Sequence, residues 1–187
     1  MIASAEIQLT LADLEAAPDD GNRYELIDGG LHVSASPAFP HQNALAQLVI
    51  AIGIYLREHS AGIVVPGLAV VFDDHTAVVP DLVFLTHERR RRIMEGGRLV
   101  DAPEIAIEIV SPGYSNERRD RHLKLRLYSE RGVGEYWIVD PSARAIEIYR
   151  RAAGGSLERT VTLGPADTLT TEFLPGFSVT VGTLFTI

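Results

Sequence analysis

Apolar and polar positions along the chain follow two different periods, which predict helices and strands in a definite order. Apolar residues at helical spacing, including Leu45, Leu48 and Ile52, predict a long helix from about His41 to Glu58. Two short apolar runs around an Asp-Gly-Gly turn, in YELIDGGLHV, predict a hairpin. Further along, EIAIEIV (residues 104–110) is a continuous apolar run, typical of a strand that is buried on both faces.

The remaining segments add shorter elements of both kinds. Helices are expected after the capping residues Thr10 and Thr86, and a basic helix is expected over about 116–131, with Ser115 as its cap and Gly132 at its end. Strands are expected at about Ile63–Val65, Leu68–Phe72, Ala77–Leu85, Glu135–Asp140, the following AIEIYR, Thr160–Leu163 and Phe177–Val181.

The order of these elements predicts the fold class. We expect an α/β (α+β) fold with a mixed sheet flanked by helices and hairpin additions at both ends. A helix links the strand at 104–110 to the strand at 135–140, which is the connection that parallel neighbours require. No repeat or linker composition divides the sequence, so one domain is expected over residues 1–187.

The amino-acid composition limits the kinds of metal site and cross-link that the chain can form. The chain of 187 residues has no cysteine, which excludes disulfides and thiolate metal sites and leaves oxygen and nitrogen as metal ligands. The N-terminal MIASAEIQLT lacks the basic and apolar regions of a secretory signal, and the mainly apolar run from Ala44 to Leu56 is too short to cross a bilayer. We therefore expect a cytoplasmic protein without a membrane segment.

The formal net charge of −8 does not favour nucleic-acid binding, because that binding depends on neutralising phosphates. Any such contact must use a local basic surface. Two surfaces are candidates, and each can equally be a solvated helix face: Arg89–Arg92, and the basic helix with Arg118, Arg119, Arg121, Lys124 and Arg126.

Two acids lie in unusually apolar surroundings. Asp81 interrupts VVPDLVFL, and Glu108 interrupts EIAIEIV. An unpaired ionised carboxylate in such a strand costs several kcal/mol, so each must be exposed, paired, protonated or bound to a metal. Each acid alone is explained by an arginine partner. If the two strands are neighbours, both carboxylates can bind one hard ion such as Mg²⁺.

Lys124 is the only lysine beside 16 arginines. A general preference for arginine explains this distribution without any role for Lys124. A position that retains lysine can instead require a compact ammonium, which can contact an attacking water or the charge of a phosphate. Asp120 lies one helical turn earlier, so an ordinary Asp–Lys pair is the competing interpretation.

A longer set of motifs resembles a known family. These motifs are Pro80-Asp81, EIVSP at 108–112, the D-x-x-x-K-x-x-x-Y spacing of Asp120, Lys124 and Tyr128, and GVGEYWIVDP. Together with YELIDGGL, the helix that opens with His41 and the closing LPGFSVTV, they resemble the Uma-type (Uma-two) restriction endonuclease family. This family belongs to the PD-(D/E)XK nuclease superfamily. The resemblance covers nearly the whole chain and implies a restriction-endonuclease-like core.

The resemblance also implies roles for individual residues. Asp81 and Glu108 would bind Mg²⁺, with Mn²⁺ as the other candidate ion, and Lys124 would position or activate water. The superfamily pattern places its lysine two residues after the acid, where this chain has Val110, so Lys124 would reach in from the following helix. Glu25 matches a motif acid and is a candidate third ligand, with a salt bridge at the end of the hairpin as the alternative.

Other conspicuous side chains have simpler explanations. His41 and Tyr128 are expected to pack or to stabilise helix ends, and Tyr136 and Trp137 are expected in the core. The leading functional hypothesis is therefore a metal-dependent endonuclease that hydrolyses phosphodiester bonds of DNA. The alternatives are hydrolysis of another phosphoester and a binding module that keeps the nuclease fold without cleaving.

A homodimer is expected for two reasons. Ile50 and Ile54 lie on a second face of the long helix, so this helix is expected to be buried on more than one side, against a protein partner or against a loop of the chain. Cleaving a duplex also needs two cuts, one in each strand, which suits a symmetric dimer.

Overall fold

The structure is a computed structural model that describes residues 8–111, 113 and 118–186. Its helices are α1 (Leu11–Glu15), α2 (Phe39–Glu58), α3 (His87–Ile93) and α4 (Leu125–Arg131), with a π-helical segment at Arg119–Lys124 and a 3₁₀ helix at Val181–Phe185. Its strands are β1 (Arg23–Ile27), β2 (Gly30–Ser34), β3 (Gly62–Pro66), β4 (Val70–Asp73), β5 (Thr76–Val78), β6 (Leu82–Thr86), β7 (Met94–Glu95), β8 (Arg98–Leu99), β9 (Ile105–Ile109), β10 (Glu135–Asp140), β11 (Ala145–Arg151), β12 (Leu157–Leu163), β13 (Thr168–Leu169) and β14 (Val179–Thr180).

The first sheet contains the predicted hairpin and has the strand order β2-β1-β5-β4-β8-β7. Strands β1 and β2 pair directly through Asp28 and Gly29, which have φ values of 51° and 78°. Two successive residues in the left-handed region match the tight hairpin turn that an Asp-Gly sequence favours. This turn fixes the register in which Glu25 faces His32 across the pair.

The second sheet holds the central strand of the molecule and has the order β12-β11-β10-β9-β6-β3. Strands β9 and β10 are parallel, and the π-helical segment and α4 form the crossover between them, as predicted. All five residues of β9 are buried, which confirms a strand covered on both faces. Gly132 ends α4 with φ 90°, whereas the predicted cap Ser115 lies outside the described residues.

The predicted strand Ala77–Leu85 is wrong, because the chain forms two strands there. β5 ends at Val78, and β6 begins at Leu82. Pro80 lacks the N–H that a continuous ladder needs, so the pairing stops around it. The two strands join different sheets, so in place of the single mixed sheet that we expected the described chain has two six-stranded sheets and a separate two-stranded sheet of β13 and β14. The predicted fold class, mixed sheets flanked by helices, is confirmed.

The long helix α2 packs on the second sheet through one face. Leu48 and Ile52 are fully buried in a core that includes Ile107 and Trp137. Ile50 and Ile54 are 52% and 57% exposed, so the expectation of burial on a second side is wrong within this chain. The sheet and the C-terminal segment around the 3₁₀ helix cover the buried side of α2, with Tyr55 OH donating to the Pro175 carbonyl, and Ile50 and Ile54 lie outside these contacts.

Among the described helices, none combines the length and the apolar composition that a bilayer-spanning segment requires.

Candidate functional site

Asp81 lies in the bend between the two sheets, immediately before β6. Its Oδ1 accepts a hydrogen bond of 2.7 Å from Arg23 Nη1, and its Oδ2 accepts one of 2.8 Å from the Ile109 N–H. His41 Nε2 lies 3.0 Å from the same Oδ2. The side chain is only 3% exposed, so these groups replace the water that a free carboxylate would bind.

Glu108 projects from the buried strand β9 near its carboxyl end. Its Oε1 accepts hydrogen bonds of 2.8 Å from both Lys124 Nζ and Tyr128 OH. Neither of these bonds uses Oε2. Glu108 is 2% exposed, and Lys124 and Tyr128 are buried to at least the same degree. Glu108 is therefore buried, and the hydrogen bonds from Lys124 and Tyr128 offset the cost of removing its carboxyl group from water.

Lys124 lies between two carboxylates. Its Nζ is 2.8 Å from Glu108 Oε1 and 2.8 Å from Glu25 Oε1, and Glu25 Oε1 also accepts a 2.8 Å bond from the Val79 N–H. Lys124 is the last residue of the π-helical segment, a rare conformation that is found mostly at functional sites. Tyr136 OH donates to the main-chain carbonyl of Asp120 within this segment.

The two candidate acids have opposite electrostatic surroundings. Burial alone would raise the pKa of Asp81, but the hydrogen bond from His41 and the charge of Arg23 hold that pKa well below its usual range. Burial raises the pKa of Glu108 to about 8, helped by the negative charge of Asp81 and opposed by Lys124. Asp81 therefore remains ionised, while Glu108 takes up a proton near neutral pH.

Lys124 remains protonated and positively charged. Burial disfavours its ammonium, but the carboxylates of Glu108 and Glu25 raise the pKa of Lys124 above its ordinary value. Burial likewise disfavours the Glu25 carboxylate, and the charge of Lys124 overcomes this and lowers the pKa of Glu25. One ammonium balances one carboxylate, so Glu25 and Lys124 form the ion pair, and Glu108 is the acid that is left to hold a proton.

Asp81 and Glu108 face one cavity of about 210 Å³, which we call the carboxylate cavity. His41 and Ile109 contribute to the same wall as the two acids. The rest of the lining is largely polar and includes Asn22, Arg23, Ser34, Ser36, Ser111 and Arg119. The cavity places both carboxylates at the base of a cleft that a ligand can enter.

The structure brings together the residues that the sequence singled out and adds several others. Asp81, Glu108 and Lys124 form one cluster, and Glu25 joins it through Lys124. The alternative Asp120–Lys124 pair does not form, since Lys124 contacts Glu25 and Glu108 and Asp120 Oδ1 accepts from Arg119 Nε at 3.0 Å. The sequence did not indicate Arg23, it marked Arg119 only as part of a basic helix, and His41 and Tyr128 were expected to pack or to stabilise helix ends; all four contact or line the site.

The basic helix is less basic at its surface than its sequence indicates. Lys124 is buried, Arg119 pairs with Asp120, and Arg121 pairs with Asp140 and Glu147. These ion pairs neutralise most of the positive charge with which the helix could contact the phosphates of a long nucleic-acid backbone.

The side chains at the carboxylate cavity supply some of the ligands that a hard cation requires. Among residues 8–111, 113 and 118–186, no group of three or more acidic or histidine side chains is arranged to hold a metal ion. Two carboxylates nevertheless face the carboxylate cavity, and Glu25 Oε2 is buried without a hydrogen-bond partner. Mg²⁺ typically binds through one or two carboxylates and completes its shell with water and substrate phosphate, so these residues fit that ion.

Known proteins resemble this chain over nearly its full length. The family model Uma2, described as "Putative restriction endonuclease", matches residues 11–182. The crystal structure of "a putative nuclease belonging to DUF820" from Anabaena variabilis matches with a TM-score of 0.76 and 21% sequence identity. That match covers 95% of this chain and 97% of the other, and it demonstrates a shared fold. No curated protein matches the sequence.

Proposed function

Since this chain belongs to the Uma2 family, which is described as "Putative restriction endonuclease", we propose that it hydrolyses phosphodiester bonds with the help of a divalent metal ion. DNA is the proposed substrate. The observation that carries the proposal is the cluster at the carboxylate cavity, where Lys124 Nζ contacts Glu108 and both Glu108 and Asp81 face the space open to a ligand.

Asp81 and Glu108 are the proposed ligands of Mg²⁺, with Mn²⁺ as the substitute. A divalent ion bound there would polarise the scissile phosphate and lower the pKa of a bound water. Arg23, His41 and the Ile109 N–H fix the direction in which Asp81 presents its oxygens. Glu25 remains a proposed third ligand, supported by its unpartnered Oε2.

Lys124 is the proposed group that acts on the attacking water and the scissile phosphate. Its ammonium is held by Glu25 on one side and by Glu108 on the other, so its position is fixed before a substrate binds. A charged donor fixed in a buried site stabilises developing negative charge more strongly than one in water. This arrangement replaces the lysine that the superfamily pattern places at the Val110 position.

We further propose that the protein acts as a homodimer. Ile50 and Ile54 form an exposed apolar pair on α2, away from the face that contacts the sheet. A second copy of the same face would cover them symmetrically.

The competing function is a module with the nuclease fold that binds without cleaving. The net charge of −8 and the paired arginines of the basic helix favour it. Divalent-ion titration by calorimetry separates the two. The endonuclease binds Mg²⁺ or Mn²⁺ at millimolar levels or tighter, and Glu108→Gln weakens that binding. A protein that binds neither ion at these levels is the non-cleaving module.

A substrate panel tests the reaction itself. Purified protein is incubated with plasmid DNA, single-stranded and duplex oligonucleotides, RNA and a small synthetic phosphodiester. Each substrate is tested with Mg²⁺, with Mn²⁺ and with EDTA. The proposal predicts metal-dependent cleavage of DNA. Hydrolysis restricted to the small phosphodiester or to RNA would move the assignment to another phosphoesterase, and no hydrolysis of any substrate would contradict it.

A further inference from the structure

A second cavity adjoins the carboxylate cavity and has no part in the proposed chemistry. It has a volume of about 270 Å³, and we call it the flanking cavity. Its apolar wall is formed by Ala38, Pro40, Val110 and Pro141, none of which lines the carboxylate cavity. Its composition differs from that of its neighbour, so it suits a different part of a ligand.

The two cavities are neighbours that share part of their lining. Six of the described residues line both: Ser34, Ala35, Ser36, His41, Ser111 and Arg119. If a phosphate lies beside Asp81 and Glu108, a group bonded to that phosphate can therefore occupy the flanking cavity. In a nucleic-acid strand, the group next to a phosphodiester is a sugar that carries a base.

We propose that the flanking cavity is a nucleobase-binding pocket for a nucleotide next to the scissile phosphate. This inference rests on the proposed phosphodiester hydrolysis and specifies its substrate. The volume lies just below the range of roughly 300–1,000 Å³ typical of small-molecule pockets, so it fits one planar ring system rather than a stack of bases. Apolar walls with a few hydroxyl groups suit a base, which has apolar faces and polar edges.

Arg119 supplies a fixed planar group between the two cavities. Its Nε donates to Asp120 Oδ1 at 3.0 Å and its Nη1 donates to Ser34 Oγ, so the guanidinium is held at two points. Guanidinium planes stack on unpaired bases, and they also donate to phosphates. Arg119 lines both cavities, so its guanidinium is placed beside the spaces proposed for the base and for the phosphate. Ser34, Ser36, Ser111 and Ser142 provide donors and acceptors for base edges.

This pocket favours unpaired DNA over intact duplex. A base inside it must leave the helical stack, which costs least in a single strand or at a mismatch. Contacts to a base also depend little on salt, in contrast to contacts that neutralise phosphates. That source of affinity suits a chain with a net charge of −8 in which Arg119 and Arg121, among the described residues of the basic helix, are already paired with acids.

Tryptophan substitutions that fill the pocket from opposite sides provide the test. Ala38→Trp fills it from the start of α2, and Ser142→Trp fills it from the turn after β10. Ala143→Trp is the matched control, because Ala143 is exposed in the same turn and is not among the described residues that line the cavity. Circular dichroism establishes that each variant is folded.

The first readout compares an oligothymidylate with a strand of equal length built from abasic nucleotides. Wild type and Ala143→Trp should cleave the thymidylate with a kcat/KM about tenfold or more above the abasic strand, the size expected for loss of one base contact. Ala38→Trp and Ser142→Trp should bring that ratio towards one. Equal cleavage of the two strands by wild type would overturn the pocket and leave the hydrolytic function intact.

The second readout needs no catalysis. A thymidine dinucleotide is titrated calorimetrically into metal-free protein in EDTA. Wild type and Ala143→Trp should bind it, and both filling variants should bind about tenfold more weakly or worse. If no substrate is cleaved but this pattern appears, the pocket is supported and the proposed function fails. If wild type does not bind the dinucleotide, or the filling variants bind it as wild type does, the pocket is rejected.

Discussion

The Lys124 ammonium lies 2.8 Å from Glu108 Oε1, and both side chains are almost completely buried. Glu25 approaches the same ammonium from the other side at 2.8 Å. The lone lysine of the chain is therefore the counter-ion of the Glu25 carboxylate and a hydrogen-bond donor to Glu108 in the protein interior. This arrangement has consequences for stability as well as for the proposed chemistry.

Removing the lysine charge should destabilise the fold strongly. Lys124→Met leaves the buried Glu25 carboxylate without its cation and removes a donor to Glu108, and the loss of one partner of a buried ion pair costs about 3–5 kcal/mol. Urea unfolding in EDTA measures the change. Arg126→Met is the control, because its pair with Asp28 is more than half exposed and its loss should cost less than about 1 kcal/mol. A Lys124→Met protein as stable as this control would contradict the prediction.

Glu108 should make the metal-free protein less stable as pH rises. Its pKa is raised to about 8 from 4.5, so its contribution is fully present below pH 4.5 and is lost as pH rises through about 8. Unfolding free energies at pH 5.5, 7.0 and 8.5 should fall by up to about 1.4 kcal/mol per pH unit from this group alone. Asp81 adds no slope in this window, because its lowered pKa lies far below it.

Glu108→Gln isolates that effect. The variant cannot lose the proton, so its stability should vary less with pH than that of wild type over the same range. Asp73→Asn, at an exposed pair with Arg131, should keep the wild-type slope. Parallel slopes in wild type and Glu108→Gln would mean that Glu108 is ionised throughout the range.

His41 should act through Asp81. Its Nε2 lies 3.0 Å from Asp81 Oδ2, so His41→Ala removes a group that orients a proposed metal ligand. Such losses typically reduce metal affinity or activity by about 10–100-fold. We expect a reduction of this size, measured as the metal concentration for half-maximal cleavage, with partial rescue in His41→Gln. His59→Ala, at the other end of α2, should behave as wild type.

The exposed apolar pair on α2 should control assembly. Ile50→Glu and Ile54→Glu place charge at the proposed interface and should shift the protein to monomer in sedimentation velocity runs over a range of concentrations. Val161→Glu, at a partly exposed position on β12, should leave the mass unchanged. A wild-type protein that is monomeric at every concentration would remove the dimer.

Local patterns were enough to predict most elements but not the contacts of the site. The period of α2, the apolar run of β9 and the Asp-Gly turn each determine structure over a few residues, and each is found where it was predicted. The break between β5 and β6 depends on which sheet each half joins, and periodicity does not encode that choice. A single domain over residues 1–187 stays a prediction.

The site itself could be predicted only for its most anomalous members. Asp81 and Glu108 were found because charge is costly in apolar surroundings, and Lys124 because it is unique. Arg23 and His41 contact Asp81 from 58 and 40 residues away along the chain, so no local pattern around Asp81 predicts either contact. The proline in Pro80-Asp81 was the available sign that Asp81 lies at a bend instead of inside a strand.

The central claim is that Asp81, Glu108 and Lys124 together perform metal-dependent cleavage, and one assay tests it most directly. Single-stranded and plasmid DNA are incubated with wild type, Asp81→Asn, Glu108→Gln, Lys124→Gln and the control Asp73→Asn, each verified as folded, with Mg²⁺ and with EDTA. Wild type and Asp73→Asn should cleave only with metal, and each of the other three variants should lose at least about a hundredfold in rate. Equal cleavage by wild type and the site variants, or cleavage that persists in EDTA, would contradict the claim.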